Sequence, residues 1–260
     1  MSDRFKDKVV VVIGASAKGC IGWHCAKQFA AEGAHVIVAA RNLAGVTELA
    51  EQIGGRAMRC DISRDEEVAA VAEAAGAWGG LDIAVNAAGA AVPSMFASFD
   101  QATLENAMAV NFYGNLYFVR HMATAMPRGG SIVLIASQAA IQVVPGNMLY
   151  GCAKAATITA AKYAAHEYAS QNIRVNVLLP GLVNTPMIAP MLASPALRDA
   201  FLKEVPLKRI AEPDEVADAA LWLSSSPSVT GTLVTIDGGM SLRRPPQLDE
   251  LPADAFAGVG

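Results

Sequence analysis

The sequence has few residues that bind metals or form disulfides. It contains 4 cysteines and 4 histidines in 260 residues. No two cysteines have the Cys-x-x-Cys spacing, and no two histidines stand at the helical spacing of a ligand pair. We therefore expect reduced thiols, as in cytosolic proteins, and no metal site.

Charge is also scarce, at 17% of residues, and the formal net charge is −4. No run of like charges forms a basic patch or a tail, so we expect neither nucleic acid nor a membrane as a partner. The apolar runs Val9–Ile13 and Val36–Ala40 are too short to span a bilayer. No apolar stretch precedes Val9, which argues against a secretory signal peptide, and we expect a cytoplasmic protein.

Hydrophobic residues make up 53% of the chain, enough to bury a sizeable core. Short β-branched runs alternate with Ala-rich helical stretches. Apolar strands without polar alternation are typical of a parallel sheet covered on both faces. The pattern predicts an α/β, doubly wound Rossmann fold with a seven-stranded parallel sheet and helices on both faces. No repeat or linker divides the chain, so residues 1–260 are expected to form one domain.

The predicted strands are Lys8–Ile13, His35–Ala40, Arg56–Arg59, Leu81–Asn86, Gly130–Ser137, Ile173–Leu179 and Thr232–Ile236. The predicted helices lie near Ile21–Glu32, Leu43–Ile53, Arg64–Trp78, Gln101–Met126, Leu149–Gln171 and Pro213–Ser224. Two segments break the alternation. Residues 183–210, rich in Met, Pro, Leu and Ala, form either a lid over an apolar site or an ordinary surface helix pair. Residues 243–260 are expected to be irregular or to pack on a partner subunit.

Tyr150 and Lys154 carry the chemistry that is easiest to recognise. On a helix they stand at i and i+4, so an ammonium lies beside a phenol and is expected to lower its pKa from about 10. Such a phenol can donate or accept a proton near neutral pH. Ser137, at a strand end, could polarise a carbonyl oxygen. Taken alone the pair is a weak signal, because a solvated helix face produces it by chance.

A glycine-rich loop, from Gly14 to Gly22, directly follows the first strand and opens a helix. Glycines permit a tight turn and close approach to a pyrophosphate, which binds at a helix N-terminus. An acid at the end of strand two would indicate NAD, but Arg41-Asn42 stands there. A guanidinium suits a 2′-phosphate, and Lys18 adds a second cation, so we expect NADP(H). The alternative is that Arg41 is a surface residue that stacks on adenine.

With Asp61 and Asn86-Ala-Ala-Gly89 at two further strand ends, the chain resembles the short-chain dehydrogenase/reductase family in its single-domain form. The likeness runs from about Lys8 to Gly239. Besides the residues above, it rests on an ordered set further along the chain: Asn111, Ser137, Tyr150-x-x-x-Lys154, Pro180-Gly181, Thr185 and Val229-Thr-Gly231…Asp237-Gly-Gly239.

The resemblance implies that Tyr150 is the general acid/base and that Ser137 hydrogen-bonds the substrate carbonyl or alcohol. Lys154 would bind the nicotinamide ribose and lower the pKa of Tyr150, and Asn111 would position Lys154 through a water. The implied cofactor-binding residues are Gly14, Ser16, Lys18, Cys20, Ile21, Arg41, Asn42, Asp61, Ile62, Asn86, Ala88, Gly89, Tyr150, Lys154, Pro180, Gly181, Val183, Thr185 and Met187.

Two features depart from the family pattern. The glycine loop reads Gly-x-x-x-x-Gly-x-x-Gly, two residues longer than usual. A longer loop resembles the enoyl-acyl-carrier-protein reductases, but those place tyrosine and lysine seven apart, and the spacing of four argues against that activity. In addition, the usual Asn-Asn-Ala-Gly reads Asn86-Ala-Ala-Gly89.

The expected substrate is a bulky, mostly apolar ketone or secondary alcohol: cyclic, aromatic, terpenoid or steroid-like. This follows from the expected pocket residues, which are Val92, Met95, Gln138, Ala139, Val143, Val144, Met148, Leu182, Met187 and Met191. A 3-oxoacyl-thioester reductase is the alternative, although His166 and Gln171 stand where such enzymes often carry arginines. A protein that senses NADP(H) without turnover is a further alternative.

Family members are usually tetramers, and a homotetramer is expected here, with a dimer as the alternative. The expected contact lies on the two long helices after strands four and five and on the C-terminal segment. Apolar residues on those helices are Leu104, Val110, Phe112, Phe118, Val119, Ala155, Ala161 and Ala165.

Overall fold

The chain builds a single parallel sheet in the part that the computed structural model describes, residues 3–252. Its strands are β1 (Val9–Ile13), β2 (His35–Ala40), β3 (Arg56–Arg59), β4 (Ile83–Asn86), β5 (Gly130–Ile135), β6 (Ile173–Pro180) and β7 (Leu233–Ile236). They lie in the order β3-β2-β1-β4-β5-β6-β7. The order reverses between β1 and β4, where open parallel sheets form a ligand crevice outside the strand ends.

Helices cover both faces of this sheet. They are α1 (Ile21–Ala31), α2 (Leu43–Ile53), α3 (Asp65–Gly76), α4 (Gln101–Met108), α5 (Gly114–Thr124), α6 (Met148–Glu167), α7 (Ala189–Leu192), α8 (Pro195–Glu204) and α9 (Pro213–Ser225). One core packs Phe29 of α1 with α2 and α9, and the other packs Phe118 of α5 with α3 and α6. Along β1, Val10 enters the first core and Val11 the second. The predicted doubly wound fold is confirmed.

The helix predicted near Gln101–Met126 is present over residues 101–124, but it is not α-helical throughout. A π-helical turn, Ala109–Tyr113, separates α4 from α5. Apolar periodicity does not reveal such a turn, because the residues on both sides remain helical. The turn contains Asn111, which is fully buried. After it, Gly114 passes so close to the strand-three loop that an added Cβ would lie 2.8 Å from the Ile62 carbonyl oxygen.

Residues 183–210 leave the sheet and return to it at one point. An isolated parallel bridge joins Val183 to Ala211, with the Asn184 N–H donating to the Ala211 carbonyl at 2.8 Å. Between these ends the chain forms α7 and α8. Phe201 on α8 and Val205, directly after α8, pack with Met240. This packing fixes α8 against the turn that follows β7.

The C-terminal segment is irregular over residues 243–252, apart from a 3-10 turn at Leu248–Glu250. Leu251 joins the α8 cluster, and Arg243 pairs with Glu204 of α8 at 3.3 Å. This part of the tail therefore packs on its own chain. The remainder of the predicted tail, residues 253–260, lies outside the described residues.

Several residues expected at a subunit contact face the core instead. Val110, Phe118, Ala161 and Ala165 are buried beneath the sheet. The exposed large hydrophobic side chains on α5, α6 and the π-helical turn are instead Tyr113, Leu116 and Tyr163. Within residues 3–252, no helix is long and apolar enough to cross a membrane.

Candidate active site

Two adjoining cavities open at the carboxyl ends of the strands. The larger has a volume of about 630 Å³ and contains Ser137, Tyr150 and Lys154 in its wall. The smaller, of about 380 Å³, lies beside the glycine-rich loop and Arg41. Both are lined by Ile21, by Ala87-Ala88-Gly89, and by Thr185 and Met187. The shared residues make the two cavities one continuous cleft, which we divide into a reaction cavity and a nucleotide cavity.

Ser137 and Tyr150 meet in the reaction cavity. Ser137 lies two residues after the end of β5, and its Oγ accepts a hydrogen bond from the Ala139 N–H at 3.2 Å, which fixes the turn. A side-chain hydrogen bond joins Ser137 to Tyr150 on α6. The two hydroxyls therefore lie side by side, where both can reach one substrate oxygen.

The pKa of Tyr150 moves in the direction opposite to the expected one. Burial among protein atoms raises it above its ordinary value, and the hydrogen bond with Ser137 lowers it only in part. Lys154 does not bring the Tyr150 pKa below its ordinary value. Its Nζ lies 5.6 Å from the centre of the Tyr150 ring and donates to the Ile135 carbonyl oxygen on β5. The phenol is therefore protonated at neutral pH, which is the form that donates a proton to a carbonyl.

Lys154 is a buried cation. Its side chain is only 2% exposed, and its Nζ donates to the Ile135 carbonyl oxygen at 2.8 Å. Burial lowers the pKa of Lys154 from 10.5 to about 8. The ammonium remains mostly charged at pH 7, and two of its three N–H donors are left for the cavity.

We expect Lys154→Met to make the protein more stable at pH 7, by about 1–2 kcal/mol. Keeping the ammonium charged in the fold costs roughly 3 kcal/mol for the shift to a pKa of about 8. Losing the hydrogen bond to Ile135 offsets about 1 kcal/mol of this gain. Urea unfolding measures the difference.

The pH dependence identifies the cause of that gain. The folded pKa of Lys154 lies below 10.5, so the unfolded chain binds more protons between about pH 8 and 10.5. The wild type therefore gains stability through this window, and its deficit against Lys154→Met should shrink. Lys162→Met removes the same charge from the exposed face of α6 and should show no such convergence. A deficit that stays constant to pH 10.5 would contradict the buried-charge explanation.

Asn111 is held beside Lys154. The Asn111 amide donates to the Ala90 and Ala107 carbonyls at 3.0 and 3.1 Å, and its Oδ1 accepts from the Ala90 N–H at 3.1 Å. A Cβ added to Gly89 would lie 3.3 Å from Asn111 Oδ1 and 3.4 Å from Lys154 Nζ. A Cβ at these distances would crowd both groups, so Gly89 is the point at which they come close to the same stretch of backbone.

The nucleotide cavity depends on close backbone approach at three glycines. Gly14 has φ +89°, and an added Cβ would lie 2.4 Å from the Ala88 nitrogen. A Cβ on Gly22 would lie 2.5 Å from the Gly14 carbonyl oxygen. Gly45 of α2 approaches the loop in the same way, because a Cβ added to it would lie 2.2 Å from the Ser16 carbonyl oxygen. The sequence pattern missed Gly45, because a single glycine inside a helix carries no motif.

Charged and polar groups stand at one end of this cavity. Arg41 follows β2 and is exposed, and no salt bridge engages its guanidinium among residues 3–252. Burial alone would raise the pKa of Asp61, but hydrogen bonds from Ser63 and the charges of Arg41 and Arg59 lower it below its usual range. Asn42 caps α2 by accepting the Gly45 N–H at 3.3 Å. The end of the cavity thus combines a free cation with an ionised acid.

Comparison with known proteins identifies the family. A family profile described as Enoyl-(Acyl carrier protein) reductase matches residues 14–241. A 2,5-dichloro-2,5-cyclohexadiene-1,4-diol dehydrogenase of Sphingobium indicum is 36% identical, over 93% of this chain and 99% of its own. A 3beta-hydroxysteroid dehydrogenase 1 of Eggerthella lenta is 37% identical, over 93% and 97%. A short-chain type dehydrogenase/reductase structure from Mycobacterium ulcerans superimposes with a TM-score of 0.92 at 30% identity, covering 98% and 97% of the two chains.

The chain belongs to the short-chain dehydrogenase/reductase family. It is an oxidoreductase of that family, whose members use a nicotinamide cofactor. The cleft suits such a cofactor. The nucleotide cavity lies beside the glycine-rich loop at the start of α1, where backbone N–H groups favour a pyrophosphate, and Lys154 retains two N–H donors that face the adjoining cavity.

Most residues that the sequence assigned to this short-chain dehydrogenase/reductase cleft line it. All the predicted cofactor-binding residues do so except Lys18 and Asn86. Lys18 is exposed beside the loop. The Asn86 amide is buried, donates to Asn115 Oδ1 at 2.8 Å, and accepts the Ala88 N–H at 3.0 Å, so it supports the turn rather than facing the cleft.

The expected substrate pocket was partly wrong. Four of its residues, Val92, Met95, Val143 and Met148, lie outside the reaction cavity. Val92 packs with Leu149 in a small separate core, and Val143 is 87% exposed. The wall also includes residues that sequence spacing does not bring together: Pro93, Asn147, Phe201, Met240 and Pro252. They come from the loop after β4, the start of α6, α8, the turn after β7 and the C-terminal segment, respectively.

Proposed function

We propose that this short-chain dehydrogenase/reductase uses NADP(H) and reduces a bulky, neutral, mostly apolar ketone, or oxidises the matching secondary alcohol. The observation that carries the proposal is the reaction cavity. Its volume is about 630 Å³, and Lys154 is the sole charged residue in the part of its wall that the structure describes. Without a second cation, a carboxylate or phosphate on the substrate would be buried unpaired.

In this proposal, Tyr150 gives its proton to the substrate oxygen, and Ser137 holds that oxygen by a hydrogen bond. The bound cofactor supplies the hydride. Lys154 keeps a positive charge next to the phenol as negative charge develops on it, and Asn111 positions Lys154 from the buried side of the cleft. The raised pKa of Tyr150 favours reduction at neutral pH, because oxidation needs the phenolate.

The choice of NADP(H) over NAD(H) rests on Arg41. Its guanidinium is exposed at the end of the nucleotide cavity and forms no salt bridge within residues 3–252. It could therefore donate two parallel hydrogen bonds to a 2′-phosphate. Lys18 no longer supports the proposal, because it lies outside both cavities.

The segment of residues 183–210 is proposed as a lid. Its two ends are tied by the bridge between Val183 and Ala211, while Ile188, Met191 and Leu197 line the reaction cavity. Because α8 is packed on Met240, motion of α7 would admit a bulky substrate and then exclude water. We also propose a homotetramer, formed through the exposed side chains of α5 and α6, in a cytoplasmic enzyme.

Initial rates of NADPH oxidation with a panel of cyclic, aromatic and steroid ketones test the proposal. Acetoacetyl-CoA is included, and NADH is run in parallel. Turnover of bulky ketones with NADPH well ahead of NADH is the expected result. Turnover confined to the thioester would replace the ketone proposal by the acyl-reductase alternative. No turnover with any substrate, combined with tight NADPH binding, would favour the sensing alternative.

A further inference from the structure

Gln138 brings a buried carboxamide into the wall of the reaction cavity. It follows Ser137 directly in a 3-10 turn, Gln138–Ala140, and is only 3% exposed. It lines the same cavity as Ser137 and Tyr150. Burying an amide costs free energy unless its donors and acceptors form hydrogen bonds.

Backbone carbonyls fix the orientation of this amide through a second glutamine. Gln142 Nε2 donates to the carbonyl oxygens of Ser241 and Arg243, at 3.4 and 2.5 Å. A carbonyl oxygen can only accept, so Gln142 must turn its NH₂ group toward the C-terminal segment and its Oε1 away from it. Gln142 Oε1 then accepts a hydrogen bond from Gln138 Nε2. Gln138 is therefore left with its oxygen, not its nitrogen, on the other side.

This oxygen is available to a ligand. Gln138 Oε1 has no donor partner among the hydrogen bonds of residues 3–252. It lies next to Gly181, where an added Cβ would be 3.2 Å away, and Gly181 also lines the reaction cavity. An acceptor in a largely apolar wall gains most from a neutral O–H or N–H donor.

We propose that Gln138 determines specificity by accepting a hydrogen bond from a hydroxyl group that the substrate carries within a few bonds of its reacting carbon. Hydroxyketones, and the diols that correspond to them, would then be preferred over plain ketones. The proposal rests on the proposed function and refines it: an apolar body with one additional hydroxyl donor. The C-terminal segment takes part indirectly, because its carbonyls set the direction of both amides.

Three ketones of similar size test the proposal: cyclohexanone, 2-hydroxycyclohexanone and 2-methoxycyclohexanone, each with NADPH. The methoxy compound keeps the second oxygen but has no donor. The wild type should favour the hydroxyketone over the methoxyketone by roughly 10-fold in kcat/KM. Gln138→Leu should reduce this ratio to about 1 while it retains turnover of cyclohexanone.

Two further variants separate specificity from structure. Gln142→Leu keeps Gln138 but releases its amide to turn, and should lower the preference for the hydroxyketone. Gln52→Leu, an exposed glutamine on α2, should leave the preference unchanged. Turnover of all three ketones with no preference, or a preference that survives Gln138→Leu, would overturn this inference alone. If the cyclic, aromatic and steroid ketones above are turned over but none of these three is, the inference fails alone. If no ketone of either set is turned over, the proposed function fails and the inference falls with it.

Discussion

Tyr150→Phe is expected to lower kcat by roughly 10³-fold and to leave NADPH binding nearly unchanged. Phenylalanine keeps the ring that packs in the cleft but removes the only phenol in the reaction-cavity wall described by residues 3–252. Ser137 cannot replace it, because a serine hydroxyl is a far weaker acid than the Tyr150 phenol. Single-turnover reduction and NADPH fluorescence titration separate the chemical step from nucleotide binding.

Tyr163→Phe is the matched control. Tyr163 lies on the same helix and is 66% exposed, so the variant should keep wild-type rates. A Tyr150→Phe enzyme with more than a tenth of wild-type kcat would remove Tyr150 from the role of proton donor. Equal losses of turnover and of NADPH affinity would instead indicate that the substitution disturbs the cleft.

The fold was predictable because the five inner strands, β1, β2, β4, β5 and β6, are largely buried on both faces. Such strands appear as unbroken apolar runs, and the helices between them leave few other arrangements. The ends of the strands and helices were predicted less accurately than their order. The strand predicted to reach Ser137 ends at Ile135, and the π-helical turn at Ala109–Tyr113 is invisible to periodicity. That turn is nevertheless what brings Asn111 to its buried position.

An ordered motif allowed Ser137, Tyr150 and Lys154 to be placed together in one cleft, whereas the rest of the cavity wall could not be predicted. Phe201 and Met240 reach the cavity by tertiary packing of α8 against the turn after β7, which no local pattern specifies. The direction of the Tyr150 pKa shift could not be predicted from the sequence either. The spacing of Tyr150 and Lys154 suggests a lowered phenol pKa, but burial outweighs a charge that is directed at Ile135.

Arg41→Ala is expected to lower kcat/KM with NADPH by about 100-fold and to change the value with NADH by less than about 3-fold. A bidentate guanidinium–phosphate contact is worth about 3 kcal/mol, and only the phosphorylated cofactor makes it. The loss should appear mainly in KM, because the contact is remote from the reacting atoms and is the same in the ground state and the transition state.

Competition by adenosine fragments locates the effect on the phosphate itself. We expect 2′,5′-ADP to inhibit the wild type more strongly than ADP does, and Arg41→Ala to abolish that difference. Lys18→Ala serves as the control, because Lys18 lies outside both cavities, and it should change the NADPH preference by less than about 3-fold. If Lys18→Ala shifts the preference and Arg41→Ala does not, the exposed lysine would be the phosphate ligand. A wild type that prefers NADH would remove the 2′-phosphate contact altogether and leave Arg41 as a residue that stacks on adenine.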